Sequence, residues 1–201
     1  FLSSTNHLNA NNSKYTLWFG GIFLLLLVVF FTSSLLLVPE HAHSASAKEI
    51  DIKVDATLKQ FAKEVKGGRE FLKQAKGVLV FPSVIKAGLG IGGEYGEGAL
   101  RVAGKTVDYY STAAASIGFQ LGAQSKSIVI VFLETSALKT FRNSSGWKAG
   151  VDGSVALVEW GAGEDINTTD IKDPIVGFVF SNKGLMYNLT IEGSKFTKLK
   201  K

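Results

Sequence analysis

Glu94, Gln120 and Asp152 are the side chains with most to offer chemically, because each is a polar group on an otherwise small-residue strand face. In GLGIGGEYGEG (88–98), Gly88, Gly90, Gly92, Gly96 and Gly98 share the even positions with Glu94, while Leu89, Ile91 and Tyr95 fall on odd ones. Side chains of a β-strand alternate between faces, so one face is apolar and the other nearly bare. The pattern returns in AAASIGFQLGAQ, where Ile117, Phe119 and Leu121 oppose Ser116, Gly118, Gln120 and Gly122. It returns again in WKAGVDGSVALV, where Trp147, Val151, Val155 and Leu157 oppose Gly150, Asp152, Ser154 and Ala156. Five in-phase glycines call for close backbone approach, since each costs about 0.5–1 kcal/mol in a regular element.

Three readings of the trio stand open. The bare faces pack closely against other elements, with the polar groups at solvated ends. Alternatively, they line a polar cleft for a cation or a headgroup. As a remote third, Glu94 and Asp152 form a carboxylate pair for glycosidase-type hydrolysis, which needs the two groups about 5–10 Å apart.

Other chemistry is excluded by composition. The chain has no cysteine, and its three histidines, His7, His41 and His43, all precede residue 44. Beyond that point Ser-His-Asp and Cys-His nucleophile systems and most zinc sites are ruled out. No metal and no cofactor is expected. GLGIGG contains G-x-G, yet no helix start follows it, so it is not a dinucleotide loop. The acidic segment GEDINTTD lacks the spacing of an EF-hand loop.

A second chemistry is electrostatic. Formal charge is +5, and residues 48–76 hold eight basic against five acidic residues. Lys59, Lys63 and Lys66, then Arg69, Lys73 and Lys76, recur at i, i+4, i+7 and share helix faces. They form either a solvated helix surface or a contact surface for lipid headgroups. A basic pole suits an anionic membrane, and no nucleic-acid recognition motif accompanies it.

The elements that position these groups follow from periodicity. Val54, Leu58, Phe61 and Val65 mark an amphipathic helix over Val54–Lys66, broken by Gly67-Gly68, with a shorter helix over Arg69–Lys76. From Val78 the pattern is β: Val78–Phe81 stopped by Pro82, the Gly-rich strand, Ala99–Ala103 and Thr106–Ser111 joined at Gly104-Lys105, then Ala113–Ala123. Ser127–Leu133 is apolar on both faces, as a central strand is. A short helix over Ser136–Arg142, a long strand over Trp147–Trp160 and two strands over Ile175–Ser181 and Leu185–Ile191 complete the reading. The fold class is α+β: short N-terminal helices followed by a mainly antiparallel, strongly curved or barrel-like sheet.

Ahead of this domain, Leu17–Val38 is an almost unbroken apolar run, and Ala45-Ser46-Ala47 has the form of a signal-peptidase site. Residues 1–47 are therefore expected to be a leader, cleaved before Lys48 or retained as a membrane anchor. Residues 48–201 form the domain, exported to the periplasm or cell envelope.

The run KGVLVFPSVIKAGLGIGGEYGEGAL (Lys76–Leu100) resembles the signature of the SYLF domain family. The resemblance continues through DYYSTAAASIGFQLGAQSKSIVIVFLETSALKTF and GWKAGVDGSVA to FSNKGLMYNLTIEGSKF, covering roughly residues 50 to 199. It implies a non-enzymatic domain that binds phosphoinositides or other anionic lipids, with actin binding in some eukaryotic members. The expected function is thus binding of anionic phospholipid at a membrane. An envelope protein-interaction or structural module with a protein partner is the alternative.

Overall fold

The computed structural model describes residues 44–159, 173–183, 191 and 193–201, with backbone alone at 89–91, 116–123, 159 and 181–183. The apolar run Leu17–Val38, the acidic segment 160–172 and most of the strand expected over Leu185–Ile191 lie outside the described residues. Among those residues no helix is long and apolar enough to cross a membrane.

Helix α1 spans Ala47–Glu64 and begins earlier than its apolar stripe suggests, because Ser46 caps it: the Ser46 hydroxyl accepts the Glu49 N–H at 3.2 Å. Ser46 sits inside the expected processing motif, and the compact unit starts at Ala45. Gly67, in the left-handed conformation at φ 76°, ends the connection and opens α2, Gly68–Gln74.

Two very long strands dominate the rest. β1 runs Gly77–Val102 and β2 runs Lys105–Phe132, paired antiparallel along their whole length. Stretches that read as six separate strands form two continuous ones, with bulges between Phe81/Val84, Leu89/Ile91 and Leu100/Arg101. Pro82 falls in the first bulge, where a missing ladder donor is tolerated. Its carbonyl accepts the Ser127 hydroxyl at 2.9 Å.

The remaining elements are α3 (Thr135–Asn143), β3 (Trp147–Lys148), β4 (Ala156–Glu159), β5 (Ile175–Lys183) and β6 (Lys195–Leu199). The sheet order is β3-β6-β2-β5-β4 with β1 on β2, and only β4 and β5 run parallel. The expected α+β class with a strongly curled, mostly antiparallel sheet is what the chain forms.

Alternation divides the core in two. Val78, Val80, Val129, Val131, Val176 and Phe178 face α1 and α2, where Phe61 meets Phe178 edge-on at 4.9 Å. Leu79, Phe81, Ile128, Ile130 and Phe132 face the inside of the curl, together with Phe141, Trp147 and Phe196. Ser127–Phe132 is buried on both sides between β1 and β5, as its doubly apolar pattern predicts.

The bulge at Pro82 moves the inner face onto even positions, so Val84 and Leu100 join this second core. Two glycines of the even phase, Gly96 and Gly98, then have their explanation. β1 curls onto itself, and a Cβ at Gly96 would lie 2.7 Å from the Ser83 carbonyl oxygen, while one at Gly98 would overlap that of Val80.

The strand expected over Trp147–Trp160 is interrupted. Lys148 ends β3, Gly150 adopts φ 79°, and the Asp152 N–H returns to the Lys148 carbonyl at 2.9 Å. Gly-Val-Asp-Gly turn chemistry overrides the alternation.

Tyr110 gives a prediction at the inner core. Its hydroxyl is buried with no hydrogen-bond partner among the described residues, and burial pushes its pKa up to about 12, with Asp108 adding to the rise. A raised folded-state pKa contributes stability that is intact below about pH 10 and lost as pH climbs toward 12. Tyr110→Phe removes an unsatisfied donor and should stabilise the fold by about 1 kcal/mol at neutral pH. It should also flatten the alkaline limb of a stability-versus-pH curve measured by denaturant unfolding.

Candidate functional site

All six basic residues singled out from the sequence are exposed on α1, α2 and the residues that follow: Lys59, Lys63, Lys66, Arg69, Lys73 and Lys76. Among the described residues Lys59, Lys63, Lys73 and Lys76 make no ion pair, and Arg69 donates only to the Ala62 carbonyl, at 3.3 Å.

The acids of α1 are disposed otherwise. Asp55 pairs with Arg101 at 2.7 Å, and Asp51 accepts hydrogen bonds from Thr106 at 2.6 Å and Tyr109 at 3.0 Å. Burial and this bond to Asp51 hold the Tyr109 hydroxyl in its neutral form, raising its pKa. Glu49 is held below the usual carboxylate range by its hydrogen bond to Lys53. Three of the five acids in the helical region thus serve to clip α1 to the β1–β2 hairpin or to pair locally. Only Glu64 and Glu70 remain near the six cations, and Gln60 already donates to Glu64 at 3.0 Å.

The result is a charge-segregated surface. Ile52, 61% exposed, lies seven residues before Lys59 and on the same helix face, so an apolar side chain accompanies the lysines.

Glu94 and Asp152 do not share one cleft. Glu94 lies on the inner face of the curl opposite Ala114, with its side chain 8% exposed. It sits between two lysines: Lys126 Nζ is 2.8 Å from Oε2 and Lys86 Nζ is 3.4 Å from Oε1. Val84 pairs with Lys126 and Lys86 with Gln124, which puts both lysines on one face of the first half of the hairpin. Glu94 reaches them from the second half. Their side chains are 5% and 1% exposed, so this is a buried ionic cluster bridging the fold.

Asp152 instead occupies the exposed turn after β3, its carboxylate accepting the Lys148 N–H at 2.6 Å. The side chain of Gln120 lies outside the described residues. Glu94 and Asp152 therefore serve separate local networks, and an acid–base pair is not assembled from them.

Lys86 and Lys126 were not apparent from sequence as partners of Glu94. The signal was present, since Lys86 continues the even phase of Gly88–Gly98 and Lys126 that of Gln120, Gly122 and Gln124.

No curated protein matches the chain. A family model does: residues 113–201, from the middle of β2 to the C-terminal Lys201, match Ysc84, described as Las17-binding protein actin regulator. That segment holds the doubly buried strand, the inner aromatic core and the turn carrying Asp152. The Ysc84 (SYLF) match over residues 113–201 thus agrees with the SYLF signature that the hairpin before it resembles.

Proposed function

We propose that this domain binds anionic phospholipid at a membrane surface, without catalysis, through the exposed basic face of α1 and α2. The observation that carries the reading is the segregation of charge: Asp51 and Asp55 of α1 are engaged by the hairpin while Lys59, Lys63, Arg69, Lys73 and Lys76 face outward. The family is lipid- and actin-associated, which agrees with a membrane role. Its description names binding of Las17, which favours as second reading a protein-interaction module whose acidic partner meets the same face. Export to the envelope, with residues 1–47 as leader or anchor, belongs to the same proposal and rests on the apolar run and Ala45-Ser46-Ala47.

The test is flotation of the full chain with vesicles of phosphatidylcholine alone and with added phosphatidylinositol phosphates. Neutral vesicles report whatever the apolar N-terminal run contributes, so the anion-dependent increment isolates the basic face. Each Lys or Arg near an anionic surface is worth about 1 kcal/mol, so reversing Lys59, Lys63, Arg69 and Lys73 to Glu should reduce that increment by about a hundredfold or more. An unchanged increment with the sheet still folded by circular dichroism would show that these residues are only a solvated face.

A further inference from the structure

The outer face of the sheet carries a second basic feature, made of other residues. Tyr95 of β1 pairs with Ala113 of β2, Ala113 with Lys195 of β6, and Lys195 with Lys148 of β3. Residues paired across antiparallel strands project to one face, so the four form a row across four strands. All four are exposed, whereas Trp147 and Phe196, their neighbours in the chain, are buried on the other side. Beside this row Ala113 and Ala115 floor a groove of about 700 Å³ edged by Lys148, Lys195 and Val151. That volume lies within the about 300–1,000 Å³ typical of small-molecule sites.

The edges have distinct characters. The Lys195 side chain lies over Gly146, where a Cβ would come within 2.9 Å of Lys195 Cε. Among the described residues neither Lys148 nor Lys195 makes an ion pair. Among the described residues Asp152 is the one carboxylate lining the groove, and its oxygen is held by the Lys148 backbone N–H at 2.6 Å. Val151, 70% exposed, stands at the tip of the tight turn. The groove therefore offers a cationic end, an uncharged small-residue floor and an apolar lip.

We propose that this groove seats a single anionic phospholipid, its phosphate between Lys148 and Lys195 and an acyl chain along Ala113 and Ala115 against Val151. A free phosphate would use the lysines and leave the floor and lip without a role. Beneath the floor, Ala113 is paired with Tyr95 on one side and Lys195 on the other, while Ala115 pairs with Gly93 of β1. The inference rests on the membrane reading above but on none of its residues.

The experiment uses the full chain and a water-soluble short-chain phosphatidic acid carrying a diazirine in one acyl chain, kept below its critical micelle concentration. Photoadducts are mapped by mass spectrometry. Adducts are expected at Ala113–Ala115 and Lys148–Gly153, and Lys148→Glu with Lys195→Glu should reduce their yield by about tenfold or more. Ala115→Ile, which fills the floor without changing charge, should lower the yield as well. The variant with Lys59, Lys63, Arg69 and Lys73 reversed should label as the parent does. Adducts that survive the Lys148/Lys195 reversal, or inorganic phosphate competing as well as unlabelled lipid, would overturn the groove as a lipid site. Adducts lost only in the helix variant would also overturn it, and would leave the helical membrane face standing. Loss of anion-dependent flotation with groove labelling intact would instead tell against the helical face alone.

Discussion

Glu94→Ala is expected to destabilise the protein by about 3–5 kcal/mol, because it leaves two buried ammonium groups without their shared carboxylate. Lys126 is 1% exposed and 2.8 Å from Glu94, and Lys86 is 5% exposed. Glu94→Gln keeps the shape and supplies a hydrogen-bond acceptor, yet it also removes the negative charge, so most of the loss should remain. The ionic cluster nevertheless owes little net stability to being ionic, since desolvation of three charges opposes their attraction. Lys86→Met, Glu94→Leu and Lys126→Met together should therefore recover most of the loss. Denaturant unfolding of the single and triple variants measures both effects. A Glu94→Ala variant as stable as the parent would mean that the lysines reach solvent in solution.

Gly98→Ala should be comparably damaging, at about 3 kcal/mol or more, for a steric reason. The added Cβ meets the Val80 carbonyl oxygen and lies within 2.8 Å of a Phe81 ring carbon, and the carbonyl belongs to backbone that cannot rotate away. Gly104 supplies the contrast. It sits in the open turn between β1 and β2 at φ 77° with no atom within 4 Å of an added Cβ, so alanine there costs only the conformational penalty, about 1 kcal/mol. Thermal or denaturant melts of the two variants should separate clearly. Equal losses would contradict the close approach of the two halves of β1.

These variants bear on how the fold is written in the chain. Five glycines on the even positions from 88 to 98 called for close backbone approach, and at Gly96 and Gly98 the approaching chain is β1 itself. The doubly apolar Ser127–Phe132 and the turn at Gly104 were equally legible, because burial on both faces and turn chemistry act locally. The continuity of β1 was not, since Pro82 reads as a terminator unless a bulge absorbs its missing donor. Nor was the start of α1: Lys48, Glu49, Asp51 and Lys53 dilute the apolar stripe, while Ser46 and the contacts of Asp51 and Asp55 with the hairpin hold the first turns.

The candidate site was legible in part. Helical spacing put the six basic residues on exposed faces, where the structure has them. What spacing could not supply is the destination of the acids, because Arg101, Thr106 and Tyr109 reach α1 only after the hairpin curls. The same curl brings Glu94 to Lys86 and Lys126 and leaves Asp152 outside. A pattern of alternation gives faces, but the partner of each face is a tertiary fact.

The central claim is that the exposed basic face of α1 and α2 touches anionic membrane. The chain has no cysteine, so a single Gln74→Cys on the exposed side of α2 can carry the only thiol-linked fluorophore. Full-length labelled protein is mixed with vesicles holding a headgroup nitroxide lipid, either neutral or containing phosphatidylinositol phosphates, across a range of salt. The account predicts stronger quenching with anionic than with neutral vesicles, the excess fading as salt rises and the screening length falls below about 8 Å, and no excess when Lys59, Lys63, Arg69 and Lys73 are reversed to Glu. Equal quenching on neutral and anionic vesicles, or an anionic excess that survives the reversal, would contradict it.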